Sequence, residues 1–287
     1  MRSVGAVPRN IVMTGTSTGI GRATALRLAA AGWHVFAGVR REEDGRSLQL
    51  DAGERLTPVL LDVTEDATIE SAAKQIETQT GEQGVQGLIN NAGIGVGGPL
   101  EFMSREDMRR QFEVNVFGPV AVTKAFLPLL RRGSGRVINV SSGGGRMAFP
   151  LLGVYASSKF ALEALTDALR MELHGAGIDV IIVAPGFTET PILVKDDDDV
   201  DLVIRRLPEE GRRLYEEPLR AFKRTKQSFR KQAASADKVA EVIERALLAA
   251  RPRSRYTIGL DTRLLLPLYR LLPTRATDAL LRRLCGL

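Results

Sequence analysis

Tyr155 and Lys159 stand at i and i+4 in Tyr155-Ala156-Ser157-Ser158-Lys159, with Ser142 thirteen residues upstream of Tyr155. On a helix that spacing puts both side chains on one face, one turn apart. A phenol beside an ammonium, with a hydroxyl near both, can move a proton to or from an alcohol oxygen. The same Tyr–Lys spacing also arises by chance on helices that do no chemistry. The pair therefore gains meaning only from the elements that would hold it.

Other chemistries are poorly supplied. The 287 residues include two histidines, His34 and His174, and one cysteine, Cys285. A His-based zinc site or a Ser-His-Asp triad has little to draw on, and both histidines read as surface positions beside helices. No metal site is expected; the run Asp196-Asp197-Asp198-Asp199 reads as a solvated loop. A lone cysteine forbids an internal disulfide and favours a reducing, cytoplasmic setting. The N-terminal residues 1–8 do not read as a signal peptide, and no uninterrupted apolar run approaches the length of a membrane span. The net charge of +6 is confined to the C-terminus: from Arg251 onward there are eight arginines, no lysine and two acids. The preceding 250 residues are balanced, so the basicity is no sign of a nucleic-acid-binding body.

The positioning elements follow in order. Asn10–Thr14 is a short apolar run that reads as a buried parallel strand. It leads into Gly15-Thr16-Ser17-Thr18-Gly19-Ile20-Gly21 and then a helical pattern to Ala31. A glycine-rich strand-to-helix turn lets backbone N–H groups approach a pyrophosphate, and the helix N-terminus favours its charge. A second strand, His34–Val39, ends in Val39-Arg40-Arg41. Valine cannot accept from a ribose 2′-hydroxyl, whereas an arginine pairs with a 2′-phosphate, so NADP(H) is favoured over NAD(H). Further strands are expected at Leu56–Leu61, Val85–Ile89, Gly135–Val140, Ile178–Val183 and Arg255–Gly259. Asp62-Val63 closes the third, with Asp62 placed to accept from an adenine amine or to cap the next helix. Asn91-Ala92-Gly93 closes the fourth with small residues that allow a cofactor to pass. A helical region from Ser104 to about Arg131 contains Asn115 and Pro119; the proline removes the usual i+4 donor for the Asn115 carbonyl. The fifth strand ends at Ser142, a long helix from Val154 to His174 carries Tyr155 and Lys159, and the sixth strand ends in Pro185-Gly186-Phe187-Thr188. This alternation predicts one doubly wound Rossmann α/β domain over residues 1–287, with a mostly parallel seven-stranded sheet and helices on both faces.

With these motifs in this order, the chain resembles the short-chain dehydrogenase/reductase family, closely over residues 8–192 and more loosely to about 260. The resemblance implies an NAD(P)-dependent oxidoreductase. It makes Tyr155 the acid/base and has Lys159 bind the nicotinamide ribose and lower the phenol's pKa. Ser142 would orient the substrate oxygen, and the Asn115 main-chain carbonyl would hold a water that links Lys159 to solvent. Thr190 falls where the family places a hydroxyl contact to the carboxamide. It also implies dimers or tetramers. A softer resemblance to the hydroxysteroid and retinol dehydrogenase branch implies a lipophilic alcohol and its carbonyl as substrate. An NAD-dependent dehydrogenase of a small alcohol and a non-catalytic cofactor-binding regulator are the alternatives.

Residues 192–234 depart from regularity and are expected to form a mobile substrate lid. Met147, Phe149, Leu151, Leu152 and Phe187 are apolar candidates near its mouth, with Met147, Phe149 and Phe187 as substrate contacts. The extension 260–287 mixes leucine with arginine. It fits an interfacial membrane contact, or a helical pair packed on the body or on another subunit.

Overall fold

The computed structural model describes residues 9–189, 200–230, 233–259 and 271–284, together with 262, 266, 268, 269 and 287. Seven strands form one sheet: β1 (Arg9–Met13), β2 (Trp33–Val39), β3 (Leu56–Leu60), β4 (Gly87–Asn90), β5 (Arg136–Val140), β6 (Asp179–Pro185) and β9 (Arg255–Ile258). Their order is β3-β2-β1-β4-β5-β6-β9, and every pair is parallel. The central strands are apolar and β-branched because both of their faces are covered. Val180, Ile181, Ile182, Val183 and Ala184 are all essentially inaccessible. A separate two-stranded pair, β7 (Thr188–Glu189) with β8 (Ala234–Ser235), lies beyond the end of β6.

Two hydrophobic cores flank the sheet. On one face α1 (Gly19–Ala30), α2 (Glu42–Ala52) and the helix Ala236–Leu248 enclose Ile11, Met13, Leu28, Val35, Ile181 and Ile243. On the other, α3 (Asp66–Thr80) and α5 (Gly118–Arg132) enclose Val12, Phe36, Ile76, Leu88, Phe126 and Val137. The chain reverses direction across the sheet at β1 and β4, and a doubly wound sheet opens its binding crevice at the C-terminal ends of such strands. The glycine turn after β1 and Asn91-Ala92-Gly93 after β4 both lie there.

The helical stretch Arg105–Arg132 is long and apolar enough by length and composition to cross a membrane, but half of its most apolar window is buried inside the fold. Its packing on α3 and β4 is that of a core helix. It is not one regular helix. α4 (Arg105–Phe112) and α5 are joined by a π turn, Glu113–Phe117, in which Gly118 N–H donates to the Glu113 carbonyl. Pro119 has no N–H to offer Asn115, and the wider winding occurs where regular pairing cannot continue.

Three expectations need correction. The region expected to be irregular is largely helical: residues 200–206 and Glu209–Arg230 are helices. Val200, Ile204, Leu207 and Leu219, with Tyr215 of the second helix, pack together with Phe102 and Leu151 in a satellite cluster outside the two sheet cores. Asp62 does not cap α3, whose N-cap is Glu65; its Oδ1 accepts from the Thr64 N–H (2.9 Å) and hydroxyl (2.7 Å) in an Asx turn. His34 lies within β2, half-buried, with Nε2 2.9 Å from Thr57 Oγ1 and its ring 4.9 Å from Phe36. Burial and the nearby Arg55 charge lower its pKa, so the imidazole stays neutral. The aspartate run 196–199 lies outside the described residues. Of the tail, the helix Thr274–Leu284 is described, with Thr277 and Leu281 buried and Leu271 before it 82% exposed.

Candidate active site

The glycine turn is built for close approach. Gly15 and Gly19 have φ of +68° and +55°, where a side chain is strained. A Cβ on Gly15 would stand 2.7 Å from Ala92 Cα, so the turn and the residues after β4 pack backbone to backbone. A Cβ on Gly21 would collide with the Gly15 carbonyl, which fixes α1 against the turn. Asn91 pins this arrangement: its Nδ2 donates to the carbonyls of Thr14 (3.1 Å) and Gly15 (2.9 Å). Thr14 Oγ1 in turn accepts from the N–H groups of Asn91 and Ala92. Thr14, the residue that opens the glycine motif, is thus a structural partner that joins the turn to the segment after β4.

The first turn of α1 has no side-chain cap. Thr18 is the extended N-cap residue and its hydroxyl caps nothing. The N–H groups of an uncapped helix start need an acceptor, and a phosphate supplies one. Thr18 is exposed and Ser17, Gly19 and Ile20 are half-buried, so the start of the helix is reachable. Thr16 is different: it is fully buried, and its N–H and hydroxyl both donate to the Gly38 carbonyl (3.1 and 3.0 Å). Val63 is also buried, against Gly118, so only its backbone could face a ligand. At the end of β2, Arg41 is bound to Asp44, whereas Arg40 is exposed and makes no ion pair among the described residues.

α6 (Gly153–Glu172) carries Tyr155 and Lys159 one turn apart, as the spacing predicts. Lys159 is 6% exposed, and its Nζ donates to the Val140 carbonyl at 3.0 Å. Burial lowers its pKa to about 8, and the Glu163 charge partly opposes the shift. Two glycines register how closely the set converges. A Cβ on Gly93 would lie 3.4 Å from Asn115 Oδ1 and 3.7 Å from Lys159 Nζ. A Cβ on Gly144 would lie 3.3 Å from Tyr155 Cε1 and 3.6 Å from Ser142 Oγ. Asn115, Lys159, Tyr155 and Ser142 thus gather at the C-terminal edge of β4 and β5.

The neighbours of the set explain its rigidity. Ser142 Oγ accepts from Gly144 N–H (3.1 Å), so its hydroxyl proton remains to be donated. Asn115 is fully buried; its amide exchanges hydrogen bonds with the backbone of Ile94 (both 2.9 Å) and donates to Ser158 Oγ (3.1 Å). The Asn115 side chain therefore ties the loop after β4 to α6. Gln111 braces the same loop through Val96 N–H (2.6 Å) and the Ile94 carbonyl (2.7 Å).

Pro185 ends β6, Gly186 N–H donates to the Ile258 carbonyl (2.8 Å), and the Thr188 hydroxyl donates to the Gly186 carbonyl (3.2 Å). The Thr188 hydroxyl is thus occupied within its own turn. Thr190 lies outside the described residues. Of the apolar candidates, Met147 is buried, while Phe149, Leu151, Leu152 and Phe187 are half-buried. Leu151 takes a left-handed backbone (φ +64°), and its carbonyl accepts from Gly98 N–H at 2.7 Å. Phe149, with Ala148 and Pro150, lines a groove of about 670 Å³ against Arg275, Asp278, Leu281 and Arg282 of the C-terminal helix. None of the four converging residues lines that groove.

A doubly wound sheet with an uncapped glycine turn and a Tyr–Lys–Ser cluster at its edge defines a nicotinamide-dependent oxidoreductase class. Residues 9–201 match the family model described as short chain dehydrogenase, and the chain belongs to the short-chain dehydrogenase/reductase family. It is 39% identical over 280 residues to human short-chain dehydrogenase/reductase family 9C member 7, covering 95% of this chain and 88% of that protein. It is 38% identical to human retinol dehydrogenase 5, covering 94% and 87%. It is 35% identical to the Escherichia coli (strain K12) uncharacterized oxidoreductase YbbO, covering 96% and 94%. Among solved structures, a short-chain dehydrogenase from Streptomyces avermitilis superposes with a TM-score of 0.77 at 28% identity, covering 98% of this chain and 97% of that one. A Burkholderia cenocepacia short chain dehydrogenase in complex with NADP gives 0.72 at 25% identity, covering 96% and 97%.

Proposed function

We propose that this dehydrogenase/reductase uses NADP(H) to interconvert a lipophilic alcohol with its ketone or aldehyde. The observation that carries the reading is the convergence of Asn115, Ser142, Tyr155 and Lys159 beside the glycine turn. The uncapped start of α1 would hold the pyrophosphate, Lys159 the nicotinamide ribose, and Arg40 a 2′-phosphate. When bound, the nicotinamide supplies or accepts the hydride. Tyr155 Oη gives a proton to the carbonyl oxygen in reduction and takes it from the alcohol in oxidation. A phenol with a pKa near ~10 is a poor base at neutral pH, and the Lys159 ammonium favours its ionised form. Ser142 donates to the same substrate oxygen and so orients it.

Apolar surface supports a bulky substrate. Leu151 joins the cluster formed by residues 200–206 and the helix Glu209–Arg230, and these helices would cover the site as a lid. The retinol dehydrogenase relative points the same way. The test is absorbance of the reduced cofactor with retinaldehyde, a steroid ketone and a short aliphatic aldehyde, each with NADPH and NADH. The expected result is kcat/KM about tenfold or more higher for the long apolar carbonyls and for NADPH. Arg40→Ala is expected to weaken NADPH binding about tenfold and NADH binding less than about twofold, the difference being one charge-assisted phosphate contact. Equal losses for the two cofactors would remove Arg40 from the 2′-phosphate site.

A peripheral lipid contact of the tail is supported by Leu268 and Leu271, 42% and 82% exposed, and by the exposed Arg282 and Arg283 of the same C-terminal segment. The full chain is expected to co-sediment with anionic phosphatidylserine vesicles, and a Leu268→Ser/Leu271→Ser variant to remain in the supernatant. No sedimentation of the folded wild type would exclude the contact. Exposed Phe117 and Val120 near the start of α5, with Phe160 and Leu165 on α6, support a homodimer or homotetramer built on these helices.

A further inference from the structure

Glu163 lies one turn beyond Lys159 on α6 and is 2% exposed, an isolated position for a carboxylate unless other groups use it. Three elements use it. Its Oε1 accepts from Ser141 Oγ at 3.0 Å, from the residue before Ser142. Its Oε2 accepts from Arg146 Nε, just past the Gly143–Gly145 turn that Ser142 caps. The same oxygen accepts from an Arg255 guanidinium nitrogen, from β9. Arg146 also reaches Asp167 (3.2 Å), which pairs with Arg170 (2.7 Å) further along α6. The turn has made room for the acid: a Cβ on Gly145 would stand 2.6 Å from Glu163 Oε1.

The electrostatics are lopsided without this residue. Lys159 faces the Val140 carbonyl from β5 and the Glu163 charge from its own helix. Arg146 and Arg255 complete the surroundings of Glu163 and are both cationic. Glu163 therefore answers three positive groups, and Asp167 is the other acid bonded within the cluster. Without the Glu163 charge, Lys159 keeps the desolvation that lowers its pKa and loses the charge that opposes it.

We infer that Glu163 is a positioning residue for proton transfer: it locks the Ser142 turn and β9 onto the Tyr155–Lys159 helix and supplies the negative charge that keeps Lys159 an ammonium. The inference rests on the acid/base reading of Tyr155 and Lys159 given above, and adds a residue that touches neither substrate nor cofactor.

Glu163→Gln tests it, because the amide keeps the shape and loses the charge. In the carbonyl-reduction assay, kcat is expected to fall about ten- to a hundredfold. The NADPH dissociation constant, read by protein-to-cofactor fluorescence transfer, is expected to change less than about threefold. The alkaline limb of the kcat profile, where the coupled Tyr155–Lys159 pair loses a proton, is expected to move to lower pH by about half a unit or more. A uniform drop in kcat at all pH values, or an unchanged profile, would overturn the inference, since a purely structural acid gives that pattern. If the single variant does not fold, Glu163→Gln/Arg255→Gln removes one charge of each sign and is judged by the same limb. Ser141→Ala keeps every charge and is expected to lower kcat several-fold with the limb in place; a wild-type kcat there would overturn the positioning of Ser142. Retained turnover in Tyr155→Phe would instead strike the acid/base reading itself, so the two failures are separable.

Discussion

Lys159→Met is expected to do two opposite things: to lower kcat/KM by about a thousandfold or more, and to raise the thermal stability of the cofactor-free protein at neutral pH. The first effect follows from the two roles proposed for the ammonium, holding the ribose and favouring the phenolate, each of which typically contributes a factor of ten to a hundred or more. The second follows from burial. The lysine's folded-state pKa is lowered from the ordinary 10.5 to about 8, chiefly by desolvation. The folded state therefore binds this proton less tightly than the unfolded chain does. Below about pH 8 the native protein carries the full cost of a buried ammonium, of the order of a few kcal/mol. That cost shrinks as pH rises from about 8 to 10.5 and is gone above it, so this group makes stability increase with pH across that window. Methionine removes the cost and leaves the Val140 carbonyl without its donor, a smaller loss of about 1 kcal/mol. The melting temperature of the apo variant at pH 7 should exceed that of wild type by a few degrees. The gap should close as the solution approaches the lysine's ordinary pKa. A variant that is less stable than wild type at neutral pH, or a gap that ignores pH, would show that Lys159 is not held against its own desolvation.

The site was legible in the sequence wherever spacing along one element decides it. Tyr155 and Lys159 needed only a helix, and Gly15, Gly19 and Gly21 only a strand-to-helix turn. The central strands announced themselves as short β-branched runs, because burial on both faces leaves no room for alternation. The helical character of residues 200–230 was missed because the helix Glu209–Arg230 is heavily charged and contains Pro218. Its apolar stripe was nevertheless present, since Tyr215, Leu219 and Phe222 recur at helical spacing. Pro119 disclosed that a hydrogen bond was missing beside Asn115, but not that the chain would answer with a π turn. A helix cap was offered for Asp62 from the strand end alone, whereas Thr64 two residues later marks the Asx turn that takes up its Oδ1. The Glu163 cluster was illegible for a different reason. Ser141, Arg146, Glu163 and Arg255 belong to separate elements, and the bonded pair Glu163 and Arg255 is 92 residues apart in sequence. Only the parallel register of β5, β6 and β9 brings them together.

Tyr155 carries the largest expected effect on chemistry alone. Its neighbours, Ser142 across Gly144 and Lys159 one turn along α6, position an oxygen and a charge but offer no second group suited to deliver a proton. Lys159 is buried against the Val140 carbonyl, and Ser142 is too weak an acid to protonate a developing alkoxide efficiently at neutral pH. Tyr155→Phe keeps the ring and its packing and removes one oxygen, so folding and cofactor binding should survive. The measurement is a single turnover: enzyme preloaded with NADPH is mixed with a lipophilic carbonyl, and loss of the reduced-cofactor absorbance is followed. In Tyr155→Phe, NADPH should bind within about threefold of wild type, and the decay should slow by about a thousandfold or more. Decay at the wild-type rate, with the cofactor bound, would contradict Tyr155 as the proton donor and with it the proposed mechanism.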